Sequence, residues 1–193
     1  MTFSTTLTTK VLAVDFAARF SAAVVRDSGG AVLAQFDSFG ATSFEFCGML
    51  ADAAVDHDVK YAVFEDVPHG VNRLFMVKAV LRLQGAVMNE FYKVNMLDRL
   101  WWLDPATWQR TFEGVWKGGA EGARVAAERL GYVGPDLLTE YEHMLPLKGP
   151  ERTKMRAQLK KATTDYPDAF LISEWALNQE DLLNAKGIQP PMF

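Results

Sequence analysis

The chain of 193 residues has the length of one domain, and its 49% of hydrophobic residues can build a substantial core. Its net charge of −4 does not favour nucleic-acid binding by the chain as a whole, because phosphate contacts need Lys and Arg. No segment is apolar for long enough to cross a bilayer. The single cysteine, Cys47, excludes an intramolecular disulfide and suits a reducing cytoplasm, where it is expected in the core rather than as a nucleophile.

Three short strands are predicted at the start of the chain. They cover residues 11–16, 21–26 and 31–39, after a Thr-rich N-terminal arm over 1–10. The turn Asp27-Ser28-Gly29-Gly30 predicts a hairpin between the second and third strands. The first part of the chain is therefore expected to form antiparallel strands.

Helices and strands are predicted to alternate after these three strands. The predicted elements are a helix over 43–57, a strand over 60–65, a long helix over 72–91, a strand within 94–103, and helices over 106–112, 120–130 and 167–180. Gly and Pro residues predict an irregular segment at about 132–164, and a loose tail is expected at 181–193. This order predicts an α/β fold with a mixed five-stranded sheet, in which three antiparallel strands are followed by crossover strands and helices cover both faces.

Acidic residues end two of the predicted buried strands. Asp15 lies in VLAVDF and Glu65 ends KYAVFE. Burial of an unpaired carboxylate is costly, and ligands of α/β sheets bind at the carboxyl ends of strands. Each acid taken alone is better explained as a turn former or a helix-capping group than as a catalytic residue. Alternation along the strand places Glu65 and Asp66 on opposite faces and leaves open which of them points inward.

Two further acids, Asp165 and Asp168, open the last predicted helix. Residues three apart lie on one helix face, and the helix that follows is strongly apolar, so both acids are candidates for the interior. The alternative is that they complement the helix dipole. Clustered carboxylates are the ligands that hard divalent cations prefer, and a pair of such ions suits phosphoryl transfer.

Three stretches of the chain resemble the RuvC-like Holliday junction resolvases, a ribonuclease H-like family, in a divergent form such as those of bacteriophages. The stretches are VLAVDF with its hairpin, FEDVPHGVNRLFMVKAVLRLQGAV, and DPATWQRTFEGVWKGGAEGARVAAERLGY together with TDYPDAFLISEWAL. The resemblance implies a ribonuclease H-like nuclease domain over 11–180.

The resemblance also implies the chemistry. Asp15, Glu65, Asp165 and Asp168 would be the catalytic residues and the ligands of two Mg²⁺ or Mn²⁺ ions, with Asp15 bridging both. The implied activity is cleavage of four-way junctions and other branched DNA, which leaves 5′-phosphate and 3′-hydroxyl ends. The implied assembly is a homodimer through the helix 72–91. Pro68 and His69 depart from the family, in which an aromatic wedge is expected, and Phe75 is a possible substitute.

Basic residues cluster in the segment before the last helix. A charge run of this kind is either a solvated face or a phosphate-binding surface. The candidates for DNA contact are Lys148, Arg152, Lys154, Arg156, Lys160 and Lys161, with Lys117 and Arg124 earlier in the chain.

Other functions were weighed against a junction nuclease. A ribonuclease H-like nuclease for RNA–DNA hybrids or flaps remains open. An actin-like phosphotransferase would need two similar halves with Gly- and Ser/Thr-rich turns, and the chain is too short for them. A non-catalytic nucleic-acid-binding module gains nothing from clustered carboxylates. The three histidines, His57, His69 and His143, lack zinc-site spacing.

Overall fold

Five strands form one mixed sheet in the computed structural model, which describes residues 8–16, 20–66, 74–112, 119–146, 148–162, 165–181 and 183. The strands are β1 (Lys10–Asp15), β2 (Ala22–Asp27), β3 (Val32–Asp37), β4 (Tyr61–Glu65) and β5 (Leu100–Leu103). Their order across the sheet is β3-β2-β1-β4-β5. β1, β2 and β3 pair antiparallel, whereas β4 and β5 run parallel to β1. The predicted fold class is confirmed.

Helices cover both faces of the sheet. They are α1 (Ser43–Asp56), α2 (Leu74–Lys93), α3 (Pro105–Thr111), α4 (Gly119–Arg129), α5 (Leu137–Glu140), α6 (Pro150–Ala162) and α7 (Asp165–Asn178). Within the described ranges, none of these helices has the length and apolar character needed to cross a membrane.

Strand alternation divides the interior into two cores. Val11, Ala13 and Val63 point to the face that α4 and α7 cover. Leu12 and Val14 point to the opposite face, where α1 and α2 pack. A residue's position along a strand therefore decides which set of helices it meets. The last residues of β1 and β4, Asp15 and Glu65, are odd-numbered and therefore face α7.

The expectation of an irregular segment at 132–164 is wrong for its second half, because α6 occupies Pro150–Ala162. Gly149 adopts φ +100°, and the proline after it opens the helix. Proline is favoured in a first helical turn because its missing N–H has no partner there in any helix. Leu159, which is fully buried, anchors α6 to the core.

Some predicted features lie outside the described residues. These are residues 1–7 of the arm, 72–73 of the long helix and 184–193 of the tail, together with Pro68, His69 and Lys117.

Candidate acidic active site

Asp15 and Glu65 meet because their strands are parallel and in register. Val14 of β1 pairs with Phe64 of β4, and the next residue on each strand is an acid at its carboxyl end. Both acids continue the alternation of Ala13 and Val63 and therefore face α7. Asp15 is only 6% exposed. The two carboxyl groups lie close enough for a proton on one of them to form a hydrogen bond to the other.

Asp66 lies on the other face of the sheet. Its carboxylate accepts a hydrogen bond from Nε2 of Gln84 on α2, at 2.8 Å. Gln84 is itself 2% exposed. The structure therefore brings Glu65, and not its neighbour Asp66, to Asp15.

The first turn of α7 brings the other two acids to the same place. α7 begins at Asp165, and its apolar residues, such as Phe170 and Ile172, are buried against the sheet. The negative charges of Asp165 and Asp168 both act on Asp15. The four predicted acids, which come from three elements, thus form one group, here called the acid cluster (Asp15, Glu65, Asp165 and Asp168).

Burial and mutual repulsion raise the pKa values within the acid cluster. The pKa of Asp15 lies well above its usual range, first because of burial and then because of Glu65, Asp168 and Asp165. Burial, followed by the charges of Glu65 and Asp165, raises the pKa of Asp168 to about 8. Burial also raises the pKa of Glu65. Without a cation the cluster therefore retains protons near neutral pH.

The donor set of the acid cluster suits a divalent cation. The charged groups that shift the pKa of Asp15 are all acids, so its surroundings are electrostatically negative. Hard cations such as Mg²⁺ and Mn²⁺ take carboxylate oxygens as ligands. Among the residues the structure describes, no three acid, histidine or cysteine side chains already stand in a metal-binding arrangement. A cation that bound both Asp15 and Glu65 would displace any proton held between them.

Trp108 of α3 orients Glu65. Its indole Nε1 donates a hydrogen bond to Oε1 of Glu65 at 3.1 Å, and the ring is 1% exposed. This bond favours the ionised form of Glu65 and opposes the effect of burial on its pKa. The sequence offered no sign of this role, because a tryptophan in a short amphipathic helix is usually a core residue.

The basic candidates for DNA contact fall into two groups. Lys148, Lys154, Arg156 and Lys160 expose their side chains on or just before α6, and Lys160 precedes Asp165 by only five residues. Arg152 instead pairs with Glu142 and donates to the carbonyl of Pro146. Arg124 pairs with Glu121 and Glu128 on its own helix. The side chains of Lys117 and Lys161 lie outside the described residues.

Two other features do not belong to the acid cluster. Cys47 is fully buried, and burial raises the pKa of its thiol to about 11, which makes it a poor nucleophile at neutral pH. A cleft of about 580 Å³ lies at the opposite end of the sheet, next to Lys60 and Arg99. These two basic groups are already paired with Glu180 and Asp58.

The sequence matches no protein-family model and no curated protein. Solved structures do match the fold. The RuvC of T. thermophilus in complex with a Holliday junction substrate superposes with a TM-score of 0.62 and 10% identity, over 93% of this chain and 99% of that one. A second Thermus thermophilus RuvC structure gives a TM-score of 0.55 and 12% identity over the same shares. The chain therefore has a RuvC-like fold of the ribonuclease H-like type.

Proposed function

We propose that this protein is a divalent-metal-dependent endonuclease that cleaves four-way junctions and other branched DNA. The observation that carries the proposal is the acid cluster, in which four carboxylates from three elements converge at the carboxyl ends of two parallel strands. A cluster of buried, mutually repelling acids destabilises a protein unless a cation or a proton balances it. The RuvC-like fold supports this reading, since one of the similar structures holds a Holliday junction substrate.

Each acid would bind metal in a way that depends on its surroundings. Asp15, the most buried member and in contact with Glu65, is the residue that would bind both ions. Glu65, held by Trp108, would complete one site, and Asp165 and Asp168 would bind from the α7 side. Two bound ions would supply positive charge to the phosphate and lower the pKa of the attacking water. Attack of that water on phosphorus with breakage of the P–O3′ bond would leave 5′-phosphate and 3′-hydroxyl ends.

Exposed basic side chains support DNA binding despite the net charge of −4. Lys154, Arg156 and Lys160 project from α6, which ends just before the acid-bearing turn of α7. Phosphates that contact α6 would thus lie close to the acid cluster. The ion pairs of Arg124 are exposed and weak, and they leave that residue able to exchange a carboxylate for a phosphate.

A homodimer through α2 is part of the proposal, because two symmetric cuts need two active sites. Leu81 and Tyr92 of α2 are 42% and 71% exposed, and Gly85 lies between them on the same stripe of the helix. A Cβ at Gly85 would meet nothing within 4 Å. Glycine costs ~1 kcal/mol in a helix, and no atom in the described part of the chain requires it at position 85, so close approach by a second helix is a physical reason for it.

Cleavage of labelled four-way junctions, flaps and linear duplex, with and without Mg²⁺ or Mn²⁺, tests the proposal. The wild-type protein is expected to cut the junction only when metal is present. Asp15→Asn and Glu65→Gln are expected to reduce the rate by at least about 10²-fold, as losses of direct metal ligands.

Asp66→Asn is the matched control for Glu65→Gln. It removes one negative charge at the adjacent residue, but on the α2 face, and asparagine can still accept the hydrogen bond from Gln84. The control should retain wild-type cleavage. Cleavage that survives Asp15→Asn would remove the metal-site claim. Equal cutting of junction and duplex, or preference for an RNA–DNA hybrid in the same assay, would replace junction cleavage by another ribonuclease H-like nuclease activity.

A further inference from the structure

Among the described residues, Asp37 is as buried as Asp15 but lies outside the acid cluster, and both of its carboxylate oxygens accept hydrogen bonds. It ends β3 and is 6% exposed. Its Oδ1 accepts from the backbone N–H of Phe39 at 2.8 Å. The Tyr141 hydroxyl lies 3.1 Å from both oxygens, and the Tyr166 hydroxyl donates to Oδ2 at 2.8 Å. These residues are called the Asp37 group (Asp37, Tyr141 and Tyr166).

Tyr166 connects the Asp37 group to the acid cluster. It stands between Asp165 and Asp168 in the first turn of α7 and is 3% exposed. Its hydroxyl reaches β3, whereas the acids on either side of it act on Asp15 of β1. Because successive helical residues point about 100° apart, Tyr166 can hold the turn without occupying the space between the acids.

The first turn of α7 needs such an anchor for two physical reasons. The first N–H groups of any helix lack acceptors within the helix, so backbone bonds hold the turn that begins at Asp165 less firmly than the next one. In addition, Asp165 and Asp168 lie one turn apart, and when they ionise they repel each other and Asp15. This repulsion pushes the turn away from the sheet, and the bond from Tyr166 to Asp37 opposes that movement.

Tyr141 adds a link to the segment that carries the basic helix. It follows α5 at the start of the connection to α6, and its ring packs on Phe39 with the ring centres 4.7 Å apart. Asp37 thus joins three parts of the chain: the edge strand β3, the segment before α6 and the acid-bearing turn of α7.

We propose that Asp37 is a positioning residue for the acid cluster, and that it acts through the Tyr166 hydroxyl to hold Asp165 and Asp168 at the distance from Asp15 that metal binding requires. The proposal rests on the proposed metal-dependent function. In this proposal Asp37 contacts neither metal nor DNA. The Asp37 group controls the affinity of the acid cluster for metal.

The test compares Tyr166→Phe and Asp37→Asn with Tyr132→Phe. Tyr132 is the matched control, because its hydroxyl also bonds to β3, at Oε1 of Gln35 (2.9 Å), and its ring also packs on α7, at Phe170. It lies away from the first turn of α7, so its loss removes a comparable hydrogen bond without releasing the acids. The dissociation constant for Mn²⁺ is measured by calorimetry on the DNA-free full chain, and the melting temperature and the metal dependence of junction cleavage are measured alongside.

Tyr166→Phe and Asp37→Asn are expected to weaken Mn²⁺ binding by about tenfold or more, in the range found for residues that orient metal ligands. Cleavage should recover towards the wild-type rate at high metal concentration. Tyr132→Phe should lower the melting temperature but leave the dissociation constant within about twofold of the wild-type value, since its bond does not reach the ligands. Tyr166→Phe retains the ring and its packing, so it serves as the test if Asp37→Asn does not fold.

The outcomes separate the two proposals. The wild-type protein could bind Mn²⁺ and cleave junctions while Tyr166→Phe and Asp37→Asn keep the wild-type dissociation constant. That result would overturn the positioning role of Asp37 and leave the proposed function intact. A wild-type protein that binds no Mn²⁺ and cuts no DNA would overturn the proposed function, and with it any role for Asp37 in holding metal ligands.

Discussion

Protons and cations compete for the acid cluster at the level of single residues. Burial and neighbouring charges raise the pKa of Asp15 well above its usual range and that of Asp168 to about 8. A cation must displace these protons, so metal affinity is expected to increase with pH until the cluster is ionised. The site is therefore best suited to metal at mildly alkaline pH.

The same proton equilibrium makes the stability of the metal-free protein depend on pH. The pKa of Asp168 is about 8 in the folded chain, against an ordinary value of 3.8, so the folded state binds the proton more tightly than the unfolded state. This contribution to stability is complete below the ordinary value and is lost progressively as the pH rises to the folded value. The melting temperature in EDTA is expected to fall between about pH 5 and pH 8.

Asp168→Asn should flatten this profile, because the amide cannot ionise. The variant is expected to be more stable than the wild-type protein at pH 8 in EDTA, with a difference that shrinks as the pH falls and becomes small below about pH 4. Asp66→Asn is again the control and should leave the wild-type profile unchanged. Parallel melting curves for wild-type and Asp168→Asn at every pH would show that Asp168 has no raised pKa.

At the level of elements, the attachment of α7 to the sheet determines where two of the four acids lie. Arg26 of β2 is 4% exposed and pairs with Glu174 of α7 at 2.8 Å. Its guanidinium also lies 4.0 Å from the ring centre of Phe170 and donates to Ser173. Within the described residues, Nε of Arg26 finds no acceptor. The positive charge of this buried arginine is therefore balanced mainly by the carboxylate of Glu174.

Glu174→Ala is predicted to cost more stability than Arg26→Met, although both remove the same ion pair. The first leaves a buried guanidinium without its carboxylate, which costs about 3 kcal/mol. The second leaves Glu174, whose side chain is 24% exposed and can be hydrated, while methionine preserves the apolar contact with Phe170. Urea unfolding measures both free energies. A larger loss for Arg26→Met would show that packing of the arginine, and not its charge, attaches α7.

At the scale of the whole molecule, the proposed dimer decides whether two cuts can be made in one binding event. Leu81→Glu places a charge on the exposed stripe of α2 and is expected to separate the dimer into monomers, because burial of an unpaired carboxylate at an interface is costly. Sedimentation velocity measures the change. Single subunits should nick one strand of a junction rather than resolve it.

Val133→Glu is the control for Leu81→Glu. Val133 is 83% exposed and lies before α5, away from α2, so the variant adds the same charge at another exposed apolar position. It should remain dimeric. A wild-type protein that sediments as a monomer, or a Leu81→Glu variant that still sediments as a dimer, would contradict an interface through α2.

The order and type of most elements could be predicted because they depend on local patterns. VLAVDF and KYAVFE are apolar runs of strand length with an acid at the last position or the one before it, and α2 and α7 have apolar residues at helical spacing. The prediction of an irregular segment over residues 150–162 is wrong because Gly149 and Pro150 suggest a break in the chain. In the structure these two residues begin α6.

The sequence by itself determined that acids stand at the ends of buried strands and at the start of the last helix. A buried carboxylate is costly wherever it lies, so an acid within an apolar run is recognisable from its neighbours in the sequence. Only the tertiary structure decided how those acids are grouped. The parallel register of β1 and β4 brings Glu65 to Asp15 and leaves Asp66 with Gln84. Asp37 ends a strand in the same way, yet its partners, Tyr141 and Tyr166, are 104 and 129 residues away in the chain. Contacts across such separations depend on how helices pack on the sheet, and no local pattern records that packing.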